Sequence, residues 1–241
     1  MPLPLVFAHR GGMAHAPQNT LAAFRRAVAA GAGGVETDAF VTRDGVVVLA
    51  HDAVVRRRPH RRTLIAELDR AELPPHVPTL DDLFDVAGPD LPVFIDVKDV
   101  AALPALADVV RRRRDPADPR LWLAHAGYDT SQRQVVATWA ATLPGVHLVD
   151  STSVQRMAGD PDGYVAGLTD SPISWLNLPI REWTPELVEL CRRTGVSTMA
   201  FRVHTARRGR RAVRLGIDAV HGNDVDALLR VADRAPESRA A

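Results

Sequence analysis

Several things are scarce in this chain, and each scarcity excludes a class of protein. There is one cysteine, Cys191, so neither an internal disulfide nor a cysteine-built structural zinc site is available. It sits in Glu186-Leu187-Val188-Glu189-Leu190-Cys191-Arg192-Arg193, a helical amphipathic pattern that reads as a buried thiol rather than a nucleophile. No apolar run is long enough to cross a bilayer. The first residues lack the basic start and extended apolar stretch of a secretory leader, so a cytoplasmic protein is expected. The net charge is +1, which gives no global pull toward nucleic acid or an acidic partner. Low-complexity linkers and repeated blocks are also missing. Lysine is the scarcest base: among 30 basic residues only Lys98 is not arginine. An ammonium retained where arginine is used everywhere else points to a need for a compact charge rather than a planar fork.

What is present is a regular alternation. The 241 residues, 46% of them hydrophobic, suit one barrel of about 250 residues. Short apolar runs predict strands at 3–8, around Glu36, and at 91–97, 121–124, 146–149, 173–178, 196–203 and 217–220. Between them lie helical patterns, among them 21–31 (capped by Asn19 or Thr20), 80–88, 101–114, 131–142, 185–195 and 206–215, with a last helix from about 223. Val46 to His51 reads as a return strand after the Arg43-Asp44-Gly45 turn. The stretch 56–78 reads as an Arg/Pro-rich loop followed by a helix through Thr63 to Leu73. Asp160-Pro161-Asp162-Gly163 reads as a break in a short helical region. The expected fold class is α/β, a single (β/α)8 TIM barrel over 1–235 with a frayed tail at 236–241; a doubly wound open sheet is the structural alternative.

The polar residues gather at the strand ends. Side chains on a strand alternate faces, so Glu36 and Asp38 share one face, as do Asp96 and Lys98. Acids from two strands aimed at one point repel unless a cation sits among them, and oxygen donors suit a hard divalent ion, Mg2+ or Ca2+. His9 and His51 close two strands beside these acids.

In order and spacing, His9-Arg10-Gly11, Pro17-Gln18-Asn19-Thr20, Glu36-Thr37-Asp38, His51-Asp52, Pro78-Thr79-Leu80 and Asp96-Val97-Lys98 resemble the motifs of the glycerophosphodiester phosphodiesterase family. The resemblance implies a TIM barrel with its site at the C-terminal strand ends, a metal on Glu36, Asp38 and Asp96, and acid–base work by His9 and His51. It implies phosphate contacts from Lys98 and Arg10, although Arg10 also fits a salt bridge to one of the acids. Asn19 and Asp52 belong to its motifs, Asp52 as an orienter of His51 or as the strand's end. His125, His204 and His221 follow later strands, as rim residues or leaving-group contacts. Trp175 either lines the pocket or fills the barrel. The basic cluster from Arg56 onward is either a solvated loop or an attractor for anionic substrate. Gln18 and Asp96 stand where the family has Glu, and Gly222-Asn223 where it often has Thr-Asp. The implied reaction turns a glycerophosphodiester into sn-glycerol 3-phosphate and an alcohol. The alternatives are lysophospholipase D or sphingomyelinase D-like cleavage of a lysophospholipid, and a silent barrel that binds phosphorylated ligands. A metal amidohydrolase does not fit, since no His-x-His follows the first strand. The oligomeric state is left open.

Overall fold

A computed structural model describes residues 4–58, 61–115, 117–118, 120–124, 134–135, 137–138, 141–143 and 145–233. The tail at 236–241 and half of the expected helix at 131–142 lie outside the described residues. The strands are β1 (Leu5–His9), β2 (Gly34–Val41), β3 (Val47–Leu49), β4 (Val54–Arg58), β5 (Arg61–Leu64), β6 (Val93–Val97), β7 (Leu121–Ala124), β8 (His147–Ser151), β9 (Ile173–Pro179), β10 (Ser197–Phe201) and β11 (Ala219–Gly222). The helices are α1 (Leu21–Ala29), α2 (Leu80–Ala87), α3 (Leu103–Arg113), α4 (Pro161–Thr169), α5 (Pro185–Thr194), α6 (Ala206–Leu215) and α7 (Val225–Asp233).

Eight of these strands form a parallel ring in the order β1-β11-β10-β9-β8-β7-β6-β2. The ring closes where β1 returns to β2, with Phe7 opposite Gly34 and His9 opposite Glu36. That pairing removes the two free edges a doubly wound sheet would have, so the open-sheet alternative is wrong. β3 runs antiparallel to the far end of β2, Leu49 opposite Ala39, and is the return strand read from the sequence.

Alternation along the strands builds two separate cores. Inward residues Phe7, Phe94, Trp122, Val149 and Met199 fill the barrel itself. Phe7 stands edge-on to Phe94 and Trp122, with ring centroids 5.9 and 5.4 Å away. Outward residues such as Ala8, Val35 and Ile95 pack under the helices. Gly34 is required by this plug, since a Cβ there would lie 2.6 Å from the Phe7 ring. Truncating a fully buried aromatic of this kind typically costs about 3–5 kcal/mol. The plug gives the C-terminal strand ends a solid floor.

Helix starts follow local chemistry. Thr20 caps α1 by accepting from the Ala23 N–H, which settles the choice between Asn19 and Thr20. Thr79 and Asp82 form a reciprocal capping box on α2.

Two expectations fail. The helix expected through 63–73 is instead the β4–β5 hairpin followed by 3-10 turns at Ile65–Glu67 and Arg70–Glu72. Asp69 stops helical propagation by capping the second turn together with Glu72. Ile65, Leu68, Leu73 and Val77 fold instead onto Phe40, Val48 and Val55 as a small satellite core. Asp160 to Gly163 does not break a helix but begins one: Asp160 accepts from the Gly163 N–H and Pro161 takes the first helical position of α4. The interruption comes just before, at Ala158 and Gly159, both with positive φ. No helix among the described residues is long and apolar enough to cross a membrane.

Candidate active site

The C-terminal ends of β1, β2 and β6 carry the charges. Asp38 and Asp96 are directly opposite each other in the β2–β6 register, and Lys98, just past β6, is ion-paired with both, 3.2 Å from Asp38 Oδ1. Burial works against the Lys98 charge, but Asp96 and then Asp38 outweigh it and hold its pKa above the ordinary lysine value. Arg10 approaches from the loop after β1. Its backbone N–H donates to Glu36 Oε2 at 2.9 Å, and its Nε lies 3.1 Å from Asp38 Oδ2. Arg10 adopts φ of 50° and Asn19 φ of 51°. A left-handed backbone is costly for an arginine, and such strain concentrates at working sites. Gly11 follows with φ of 82°, and a Cβ there would sit 2.7 Å from Ala23 Cβ, so the chain can turn under α1 only as glycine.

Glu36 is the group least at ease. It is buried, 3% exposed. Burial first, and then the charge of Asp38, raise its pKa well above the usual carboxylate value, against the pull of the Arg10 N–H. Three buried or half-buried carboxylates, Glu36, Asp38 and Asp96, face two cations, Arg10 and Lys98. With all three ionised, the donor set is hard oxygen with one uncompensated negative charge, which is what a hard divalent cation suits. The three carboxylates are not gathered around one point, however, because Lys98 lies between Asp38 and Asp96. Among the described residues, the tightest set of potential ligand atoms at the mouth is His9, Glu36 and His221, all within 4.8 Å of one another.

The opposite side of the mouth is formed by β8 to β11, where imidazoles and amides meet His9. His9 Nδ1 lies 2.7 Å from Asn223 Oδ1, which can only accept, so Nδ1 carries the proton and Nε2 keeps its lone pair. Nε2 is 3.9 Å from Glu36 Oε2. Burial lowers the His9 pKa to about 4, against the bond to Asn223. The His9 ring centroid is 5.5 Å from that of His221 and 6.2 Å from that of His204. Burial also lowers His221 well below the usual histidine value, and lowers His204, helped there by Arg208 and Arg202. Asn177 of β9 donates to Ser151 Oγ at 2.9 Å and lies 3.3 Å from His221 Nε2. His221 Nδ1, Asn177 Oδ1 and His204 Nδ1 are buried without hydrogen-bond partners.

The other expected residues divide. Asn19 bridges Thr37 and Asp38, accepting from Thr37 Oγ1 at 2.9 Å and donating to Asp38 Oδ2 at 3.1 Å, so it orients a carboxylate rather than capping a helix. Gln18 Oε1 accepts from Arg10 Nη1 at 2.7 Å, a contact that an amide can make. His51 lies beyond β3, exposed, its Nδ1 2.8 Å from Asp52 Oδ1. It borders a pocket of about 350 Å³ whose walls include Asn19, Val54, Val55, Pro74 and Val77. Trp175 is half-buried and packs against Trp122 of the barrel filling, with centroids 5.9 Å apart. His125 lies outside the described residues. Sequence reasoning passed over Asn177, and it noted Asn223 only as a departure from a motif. The available signal was a polar residue, Asn177, at an inward position of a largely apolar strand.

Comparison with known proteins agrees with this geometry. A sequence model described as the glycerophosphoryl diester phosphodiesterase family matches residues 9–227. The chain is 25% identical over 256 residues to a glycerophosphodiester phosphodiesterase of Caldanaerobacter subterraneus subsp. tengcongensis, covering 94% of this chain and 97% of that one. A lysophospholipase D of Rattus norvegicus is 32% identical over 111 residues, which span 38% of this chain and 35% of that protein. The fold superposes with a TM-score of 0.78 on a phosphodiesterase of Oleispira antarctica solved in complex with the product sn-glycerol 3-phosphate, at 21% identity, covering 96% of this chain and 97% of that one.

Proposed function

The chain belongs to the glycerophosphoryl diester phosphodiesterase family, and from that premise we propose that it hydrolyses a glycerophosphodiester to sn-glycerol 3-phosphate and an alcohol by histidine acid–base catalysis beside a divalent ion. The observation that supports this reading is the meeting of His9, Arg10, Glu36, Asp38, Asp96 and Lys98 at one end of a plugged barrel. Glu36, Asp38 and Asp96 would hold Mg2+ or Ca2+ once Lys98 leaves the gap between Asp38 and Asp96, and the bound ion would supply charge neutralisation to a non-bridging phosphate oxygen. Arg10 and Lys98 provide further positive charge where the phosphoryl group gains negative charge in the transition state. His9, with Nδ1 fixed by Asn223, offers the Nε2 lone pair to the attacking hydroxyl. That hydroxyl belongs to water or to a neighbouring carbon of the substrate. His51, oriented by Asp52 at the rim, protonates the departing alcohol oxygen.

His9→Ala and His51→Ala should each lose turnover by about 10²–10⁴-fold while circular dichroism and Mg2+ binding stay as in the wild type. If both variants turn over at the wild-type rate, the histidine mechanism is wrong. A second reading, cleavage of lysophospholipids, is favoured by one observation: the pocket beside His51 has apolar walls from Val54, Val55, Pro74 and Val77. Choline release from lysophosphatidylcholine compared with glycerophosphocholine separates the two readings.

A further inference from the structure

The imidazole side of the mouth does not stop at acid–base chemistry. His9 and His221 are inward residues at the ends of the neighbouring strands β1 and β11, and Glu36 is next to His9 across the β1–β2 seam. The three side chains bring two nitrogen donors and one carboxylate oxygen within 4.8 Å of one another, with Glu36 and His221 buried and His9 half-buried. A four-coordinate zinc ion holds nitrogen and oxygen at about 2.0–2.2 Å, which puts its donors roughly 3.3 Å apart, so each of the three needs to move inward by less than about 1 Å.

A second layer is available. His9 Nδ1 is held by Asn223 Oδ1 at 2.7 Å, leaving Nε2 toward Glu36. His221 Nε2 lies 3.3 Å from Asn177 Nδ2, which can only donate, so here Nδ1 carries the proton. Turning the Asn177 amide over would let its unpartnered Oδ1 accept from Nε2–H and from Ser151 Oγ, and would free the Nδ1 lone pair. Metal-ligating imidazoles usually donate their other ring N–H to a carboxylate, a carbonyl or water; His9 does so already, and His221 does so once that amide has turned. By contrast the exposed group His15, Asp224 and Asp226 has no such support, and Arg26 already neutralises Asp226 at 2.8 Å.

We propose that His9, Glu36 and His221 form a binding site for a borderline transition metal of the zinc class, distinct in its donors from the all-carboxylate set expected to hold a hard ion. Two imidazoles and one carboxylate favour Zn2+, Co2+ or Ni2+ over Mg2+ and Ca2+, which take oxygen. The two ions compete because they share Glu36. The consequence for turnover rests on the histidine mechanism proposed above: a metal on His9 Nε2 removes the lone pair that receives the proton, so the zinc-class ion inhibits.

The metal itself is the probe, and no substrate is needed for the first measurement. Co2+ added to the purified metal-free chain should give the strong visible absorption of a four-coordinate site. His221→Gln should weaken that binding at least tenfold, whereas His204→Gln, outside the group of three, should leave it within twofold. Addition of Zn2+ to wild-type protein should move the His9 and His221 ring nitrogens in long-range 1H–15N spectra, a readout that stands even if His221→Gln fails to fold. Wild-type affinity in a folded His221→Gln variant, only the pale spectrum of a six-coordinate Co2+ ion, or unmoved His221 nitrogens would each overturn the site. Zn2+ should also inhibit Mg2+-supported phosphodiester turnover, with the inhibiting concentration raised at least tenfold in His221→Gln. If Co2+ and Zn2+ bind as described but do not inhibit, the metal site stands and the role given to His9 falls.

Discussion

The two sides of the barrel mouth handle polarity in opposite ways. Around β1, β2 and β6, charge meets charge: Lys98 bridges Asp38 and Asp96, Arg10 reaches Asp38, and Asn19 ties Asp38 to Thr37. Around β8 to β11 the groups that meet His9 are imidazoles and amides, and several buried nitrogens and oxygens have no hydrogen-bond partner, among them His221 Nδ1 and Asn177 Oδ1. The first side is a set of ion pairs with one negative charge in excess, stabilised by a further cation. The second is a set of unfilled hydrogen-bond and ligand positions, stabilised by whatever brings donors or a lone-pair acceptor. One barrel end thus presents two kinds of incompleteness, one electrostatic and one directional.

The contrast can be broken from either side. The largest effect is expected at Glu36. Glu36→Gln keeps its shape but removes the excess charge, and should cut turnover by about 10³-fold or more with little loss of stability. Steady-state kinetics at saturating Mg2+ checks it, and a loss under tenfold would mean that the carboxylate side is not the electrostatic centre. Next comes Gly222, at the end of β11 on the imidazole side. A Cβ there would lie 1.9 Å from the Val203 carbonyl oxygen, and backbone cannot step aside cheaply. Gly222→Ala should lose at least about 3 kcal/mol in urea denaturation. The family's frequent Thr at this place could not fit beside the loop as this chain folds it.

Lys98→Met should cost a similar amount, about 3 kcal/mol, because two facing carboxylates lose the ammonium between them. Added Mg2+ should restore part of that loss in the same denaturation experiment, whereas Lys98→Arg should not reproduce the wild type, its planar fork being unable to occupy a gap sized for a compact ammonium. The smallest net effect is a pH dependence, because two buried groups oppose each other. Burial depresses His9 from 6.5 to about 4. The unfolded chain therefore takes up the proton first on acidification, and the stability present above 6.5 is lost as pH falls toward 4, by on the order of 3 kcal/mol. Glu36 works in the other direction, since its raised pKa makes acidification favour the folded state. Melting of metal-free protein between pH 7 and 4 should show a shallower decline in His9→Gln than in wild type; equal slopes would show that His9 is not held neutral by the fold.

How far this arrangement could be read in advance differs between the two sides for a physical reason. The carboxylates announce themselves locally, because two acids at alternate positions of a buried strand have few innocent explanations. The strand and helix succession was equally legible, as apolar runs and capping threonines are local signals. The imidazole side depends on contacts far apart in the chain. Asn177 acquires meaning only when β9 lies two strands from β11, and Asn223 only when β11 pairs with β1. The failed helix at 63–73 shows the converse limit. Its composition suits a helix, but a capping aspartate at Asp69 and a hydrophobic patch on Phe40 and Val55 settle the segment as turns.

Lys98 has one more consequence. Since it carries the chain's only side-chain amine, reductive methylation with isotope-labelled formaldehyde installs a reporter there and otherwise only at the α-amino group. The resonance of that dimethylammonium watches the space between Asp38 and Asp96 directly, so occupancy by ions or phosphoryl groups is readable in solution without a single substitution.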